Sequence, residues 1–141
     1  MTSTDSLFPQ IAASGSNVYV VWQEQSATNI EIFFRASNNS GQTFGPIINI
    51  SNDTADSQLP QIATVGNNVY IVWDRISGPS DILFASSNNN GLTFSTPVNL
   101  SNSPSSLSLS PQITADGSNV YVTWQERLGN DEIFSVSTIM V

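Results

Sequence analysis

The chain writes one strand-rich unit three times. PQIAASGSNVYVVWQE begins at Pro9, PQIATVGNNVYIVWDR at Pro60 and PQITADGSNVYVTWQE at Pro111, a step of 51 residues each time, and Trp22, Trp73 and Trp124 keep the same step. A fixed period of this length constrains the fold more than any composition does, because each unit is one supersecondary element whose apolar face must be buried by its neighbours.

Within a unit the pattern is short strands separated by turn residues, with nothing at helical period. PQIAAS reads as a short strand led by proline, which suits a first residue that need not donate to a ladder. The Gly-Ser-Asn, Gly-Asn-Asn and Asp-Gly-Ser-Asn clusters that follow read as tight hairpin turns. NVYVVWQE then predicts a strand buried on both faces, because its β-branched and aromatic run hardly alternates. IEIFFRAS or DILFASS gives a third strand and FGPIINIS or FSTPVNLS a fourth. Four antiparallel strands in about 50 residues match a propeller blade. A two-sheet sandwich would leave every second position of the central strand wet, whereas blades stacked on blades cover both faces. The expected fold is therefore an all-β propeller with four-stranded antiparallel blades, in a single unit over residues 1–141. Blade 1 spans 9–59, blade 2 spans 60–110 and an incomplete blade 3 spans 111–141.

The segments SNNSGQTF at 37–44 and SNNNGLTF at 87–94 lie between the third and fourth strands. Asn39 and Asn89 can accept backbone N–H bonds, Gly41 and Gly91 permit positive φ, and Phe44 and Phe94 can anchor the loop, so both read as structural turns. They resemble the Asp box of sialidase-like BNR repeats, Ser-x-Asp-x-Gly-x-Thr followed by Trp or Phe. The matching residues are Ser37, Asn39, Gly41, Thr43 and Phe44, then Ser87, Asn89, Gly91, Thr93 and Phe94, with Asn replacing the family's Asp in both copies. The resemblance implies a hairpin on the side of the blade away from the ligand-binding face. Neither stretch holds a carboxylate, so a calcium loop is disfavoured and no metal or cofactor is expected.

The resemblance also implies a catalytic set to look for: three arginines on the substrate carboxylate, a tyrosine activated by glutamate, and an aspartate acid/base. Arg35, Arg75 and Arg127 fall one to a repeat but at unmatched positions, and Tyr19, Tyr70 and Tyr121 sit inside the apolar strand. No catalytic residue is carried over. Each tryptophan ends the most apolar strand of its unit and reads as blade-interface filling rather than a sugar platform. Binding is expected instead in the loops that vary between repeats, 23–29, 74–80 and 125–131 with 52–59 and 102–110. Glu24, Arg75, Glu126 and Arg127 are the charged candidates there.

Three Arg, no Lys and eleven carboxylates give a net charge of −8. That charge disfavours nucleic acid and anionic membrane surfaces. No apolar stretch approaches the roughly 20 residues of a spanning helix. The chain has no Cys and no His, which removes thiolate sites and the commonest base. Its first residues carry no signal-peptide pattern, while Asn-x-Ser/Thr sequons at Asn38, Asn49, Asn52 and Asn99 lean towards an extracellular or cell-surface setting.

Thr138 aligns with Ser37 and Ser87, so the third unit stops before its turn and fourth strand, and 2–8 aligns with the linker after a fourth strand. Three blades do not close a ring, so the outer faces of blades 1 and 3 are expected to be apolar and open. A homodimer making six blades is the expected completion, with a nine-bladed trimer or the missing blades of a longer chain as alternatives. The tail at Ile139, Met140 and Val141 is expected to be free to pair with a neighbour's edge. The expected function is a non-enzymatic interaction or surface scaffold, with a lectin-like carbohydrate binder second and a sialidase-like glycosidase third. Its partners are copies of itself and a glycan or protein ligand.

Overall fold

The computed structural model describes residues 5–129 and 131–140, with side chains through residue 129. It contains three antiparallel sheets, each written by one repeat. Blade 1 holds β1 (Ser6–Ser14), β2 (Asn17–Gln25), β3 (Ile30–Ser37) and β4 (Ile48–Asn49), paired in that order. Blade 2 holds β5 (Asp56–Val65), β6 (Asn68–Ile76), β7 (Ser80–Ser87) and β8 (Val98–Asn99), again in order. Blade 3 holds β9 (Leu107–Asp116), β10 (Asn119–Leu128) and β11 (Asp131–Met140), with β11 at the sheet's edge. Ile139 and Met140 thus pair with Val120 and Asn119 in β11, while Val141 lies outside the described residues.

The first hairpin of each blade turns on two residues. Gly15, Gly66 and Gly117 take φ of 59°, 58° and 58° at the first of them, the position where a type II′ turn favours glycine. The inner strands differ from the sequence expectation. Each starts before its proline, at Ser6, Asp56 and Leu107, so part of the expected linker at 2–8 and 53–59 is strand. The register slips between Leu7 and Gln10 and between Gln58 and Gln61, which places Pro9 and Pro60 in a bulge where a missing N–H breaks no ladder bond. The residue before each proline, Phe8, Leu59 and Ser110, takes a φ of 52°, 52° and 55°. The fourth strands are also shorter than expected. Only two residues pair in each, because Pro46 and Pro97 interrupt donation along this outer edge.

Packing between blades follows a single rule. The Tyr19 and Val21 face of blade 1, with Ile32 and Phe34, packs on the Val69, Ile71 and Trp73 face of blade 2. The Tyr70 and Val72 face of blade 2, with Ile82 and Phe84, packs on Val120, Val122 and Trp124 of blade 3. Burying each such large side chain contributes about 1.5–3 kcal/mol, so these two layers are the core. The expectation of a second strand buried on both faces holds for β6 alone. β2 and β10 alternate instead, because blades 1 and 3 each have a neighbour on one side only. Their outer faces are open, as expected, with Ile11 70% and Tyr121 38% exposed.

Candidate functional site

The two turns at 37–44 and 87–94 fold alike, bond for bond. Ser37 Oγ accepts from the Gly41 and Asn39 amides, and Asn39 Oδ1 accepts from the Thr43 amide at 2.9 Å. Ser87, Asn89, Gly91 and Thr93 repeat these contacts, with the last at 3.0 Å. In both, the asparagine Nδ2 donates to the threonine hydroxyl at 2.8 Å, a bond that an aspartate in its place could not donate. Phe44 is flanked by the Arg35 guanidinium, 5.8 Å from its ring, and Phe94 meets Phe34 edge-on at 4.9 Å. The second turn is also a blade contact: Asn90 Oδ1 accepts from Asn17 and from the Tyr19 hydroxyl of blade 1.

At the opposite end of the strands, the charged candidates sit in strands rather than loops. Glu24, Arg75 and Glu126 hold one repeat position, two residues after the tryptophan and on its side of the strand. Glu24 accepts from Trp22 Nε1 and Ser6 Oγ, both at 2.9 Å. Glu126 accepts from Trp124 Nε1 and from Ser106. In blade 2 the residue is Arg75, which turns to Asp53 Oδ2 at 2.6 Å and to Ser77. Trp73 Nε1 is consequently buried without a partner, because the acceptor found in the other blades has become a donor, and the buried hydroxyls of Ser57 and Ser108, at one repeat position, are unpartnered in both blades 2 and 3. Arg127 is exposed at the end of β10. The four candidates are thus distributed around three blades, and Arg35 lies elsewhere again, donating to the Phe44 and Gly45 carbonyls.

Two features at this end were not singled out in the sequence. The first is a buried polar cluster that ties blade 1 to the start of blade 2. Asn29 Nδ2 donates to Glu31, to the Asp53 carbonyl and to the Ala55 carbonyl, Asp56 Oδ1 accepts the Ile30 amide, and Ser51 donates to Glu31. The second is a clasp between blades. Gln23 Oε1 accepts the Leu59 amide at 2.9 Å and Asp74 Oδ2 accepts the Ser110 amide at 3.2 Å, each capturing the positive-φ residue of the next blade's bulge. A carboxylate does at Asp74 what an amide does at Gln23. Asp74 is 2% exposed and its Oδ1 has no partner, so burial pushes its pKa up from 3.8 to about 6 despite the Ser110 bond. Burial likewise pushes the Tyr19 and Tyr70 phenols up, and the Tyr70 hydroxyl, with Asn68 beside it, makes no well-formed hydrogen bond. The signal for the clasp was the repeat itself: Gln23, Asp74 and Gln125 occupy one position.

The open face of blade 1 carries a cavity of about 410 Å³ lined by Ser6, Pro9, Val20, Trp22, Glu24, Arg35 and Phe44. Trp22 is only half-buried there and stacks on Phe33 at 6.1 Å, unlike the interface-filling Trp73 and Trp124.

Three solved structures carry the same architecture. The sialidase of Trypanosoma rangeli superposes with a TM-score of 0.61 at 14% identity, over 95% of this chain and 31% of its own. The fold is that of a sialidase-like β-propeller. A family 117 glycoside hydrolase of the marine bacterium Zobellia galactanivorans gives 0.65 at 8%, over 96% and 52%. An ulvan lyase of polysaccharide lyase family 25 gives 0.59 at 15%, over 85% and 32%. The chain therefore spans between about a third and a half of the sialidase-like propellers it resembles. No protein-family model and no curated protein matches it.

Proposed function

We propose that this sialidase-like propeller unit is a non-enzymatic, BNR-like interaction or surface scaffold that assembles with copies of itself. The observation that carries the reading is the placement of its arginines. Arg35 is tied to the Phe44 and Gly45 carbonyls of its turn and Arg75 to Asp53 and Ser77, so both guanidiniums are already engaged by partners within the fold rather than presented to a ligand carboxylate. Tyr19 and Tyr70 lie in the blade interfaces with their phenols held protonated by burial, the reverse of what a nucleophile requires. The paired turns support the BNR reading through their identical bonds.

A lectin-like carbohydrate binder is the second reading, favoured by the half-buried Trp22 with Arg35 and Glu24 around one cavity. The neighbours named for acting on sialic acid or ulvan are enzymes on this fold, and fold alone transfers no chemistry. Incubation with a fluorogenic sialoside tests the reading: the scaffold account expects no turnover above buffer, and turnover abolished by Arg75→Ala would contradict it. Retention on a glycan array that is lost in Trp22→Ala would move the assignment to the second reading.

A further inference from the structure

We infer that the two open blade faces are halves of one interface, so that blade 3 of one copy seats on blade 1 of a second copy. The inference deepens the assembly reading above and rests on it.

The chain makes this contact twice within itself, and each half of it recurs unfilled at an end. Ile62 and Ile113 pack against the blade-interface clusters, whereas Ile11, at the same repeat position, is 70% exposed. Trp73 and Trp124 are covered by the preceding blade, whereas Trp22 borders an open cavity. Tyr19 and Tyr70 are covered by the following blade, whereas Tyr121 is 38% exposed. The clasp repeats the pattern. Gln23 and Asp74 hold the amides of Leu59 and Ser110, while Gln125 stands at the matching position of blade 3 and Phe8 has the same positive φ and is 52% exposed on blade 1. The turns repeat it once more: a Cβ on Gly91 would lie 2.6 Å from the Phe34 ring of the preceding blade, whereas one on Gly41 meets nothing within 4 Å.

The inner- and second-strand halves left open at one end of this chain are therefore present at its other end, which is why a second copy is the occupant. The contact is heterologous, donor face on acceptor face, and two copies can satisfy both faces by closing on each other. Thr114 and Thr123 stand where blades 1 and 2 have Ala and Val, so this face is more polar than its internal equivalents and its association is reversible with dilution.

The test uses two exposed positions, one on each face. Ile11→Glu places a charge on the blade 1 face and Thr123→Glu one on the blade 3 face. Each should weaken self-association at least about 100-fold relative to the unaltered chain, by light-scattering mass, with far-ultraviolet circular dichroism and the thermal unfolding of the monomer unchanged. Mixed in equal amounts, the two variants should recover a 1:1 dimer, because one intact pair of faces remains. An unaltered chain that stays monomeric, a variant that still dimerises alone, or a mixture that stays monomeric would overturn the interface. Either result is independent of sialoside turnover, which would overturn the scaffold reading while leaving the interface standing.

Discussion

Gly41 and Gly91 share a motif position and a left-handed backbone, with φ of 82° and 76°, yet only Gly91 lies under a phenylalanine ring. Gly41→Ala should cost about 1 kcal/mol, from the positive φ alone. Gly91→Ala carries the same strain plus displacement of Phe34 and should cost about 2–4 kcal/mol. Urea unfolding midpoints of the two variants check this, and equal losses would show that the second turn is not the blade contact described. The turn residues were legible because Asn and Gly have few other uses in such a stretch. The contact was not: nothing local to Gly91 distinguishes it from Gly41, and the difference is made by Phe34, 57 positions earlier in the chain.

At the scale of strands, the second and third strands followed from their residues and the first and fourth did not. A proline at the head of PQIAAS looked like a beginning, but the strand runs through it by a bulge that puts Phe8, Leu59 and Ser110 at positive φ. Local rules assign such a backbone to glycine or asparagine, so the bulge was invisible. At Leu59 and Ser110 the bulge amide is captured by the clasp from the preceding blade, a tertiary contact, while Phe8 takes the same φ without one. The clasp has a pH signature at Asp74. Its folded pKa of about 6 lies above the ordinary 3.8, so between these values the folded state holds more protons than the unfolded state. Stability therefore falls as pH rises through that window and levels above it, by about 3 kcal/mol in total. Asp74→Asn keeps an acceptor for the Ser110 amide and removes the charge. It should be more stable than the parent at pH 7 by about that amount and indistinguishable from it at pH 3.5, read from thermal unfolding at both pH values. A parent and variant that differ equally at both would place the carboxylate outside the buried clasp.

At the scale of the molecule, the three tryptophans show why sequence could specify the blades and not their surroundings. Trp22, Trp73 and Trp124 end nearly identical strands, and their burial differs only because their neighbours differ. The candidate charges failed for a related reason. Glu24 and Glu126 lie in strands as acceptors for their own tryptophans, and Arg75 replaces that acceptor in the central blade at the expense of the buried Trp73 Nε1 donor. What emerges is a stack of three blades whose first and last faces are open, the faces that the proposed assembly brings together. The most direct test is the solution mass of the unaltered 141-residue chain by light scattering, from about 1 to about 100 μM. The account predicts a rise from the single-chain 15.2 kDa to a plateau at twice that mass. A mass fixed at 15.2 kDa throughout would contradict it.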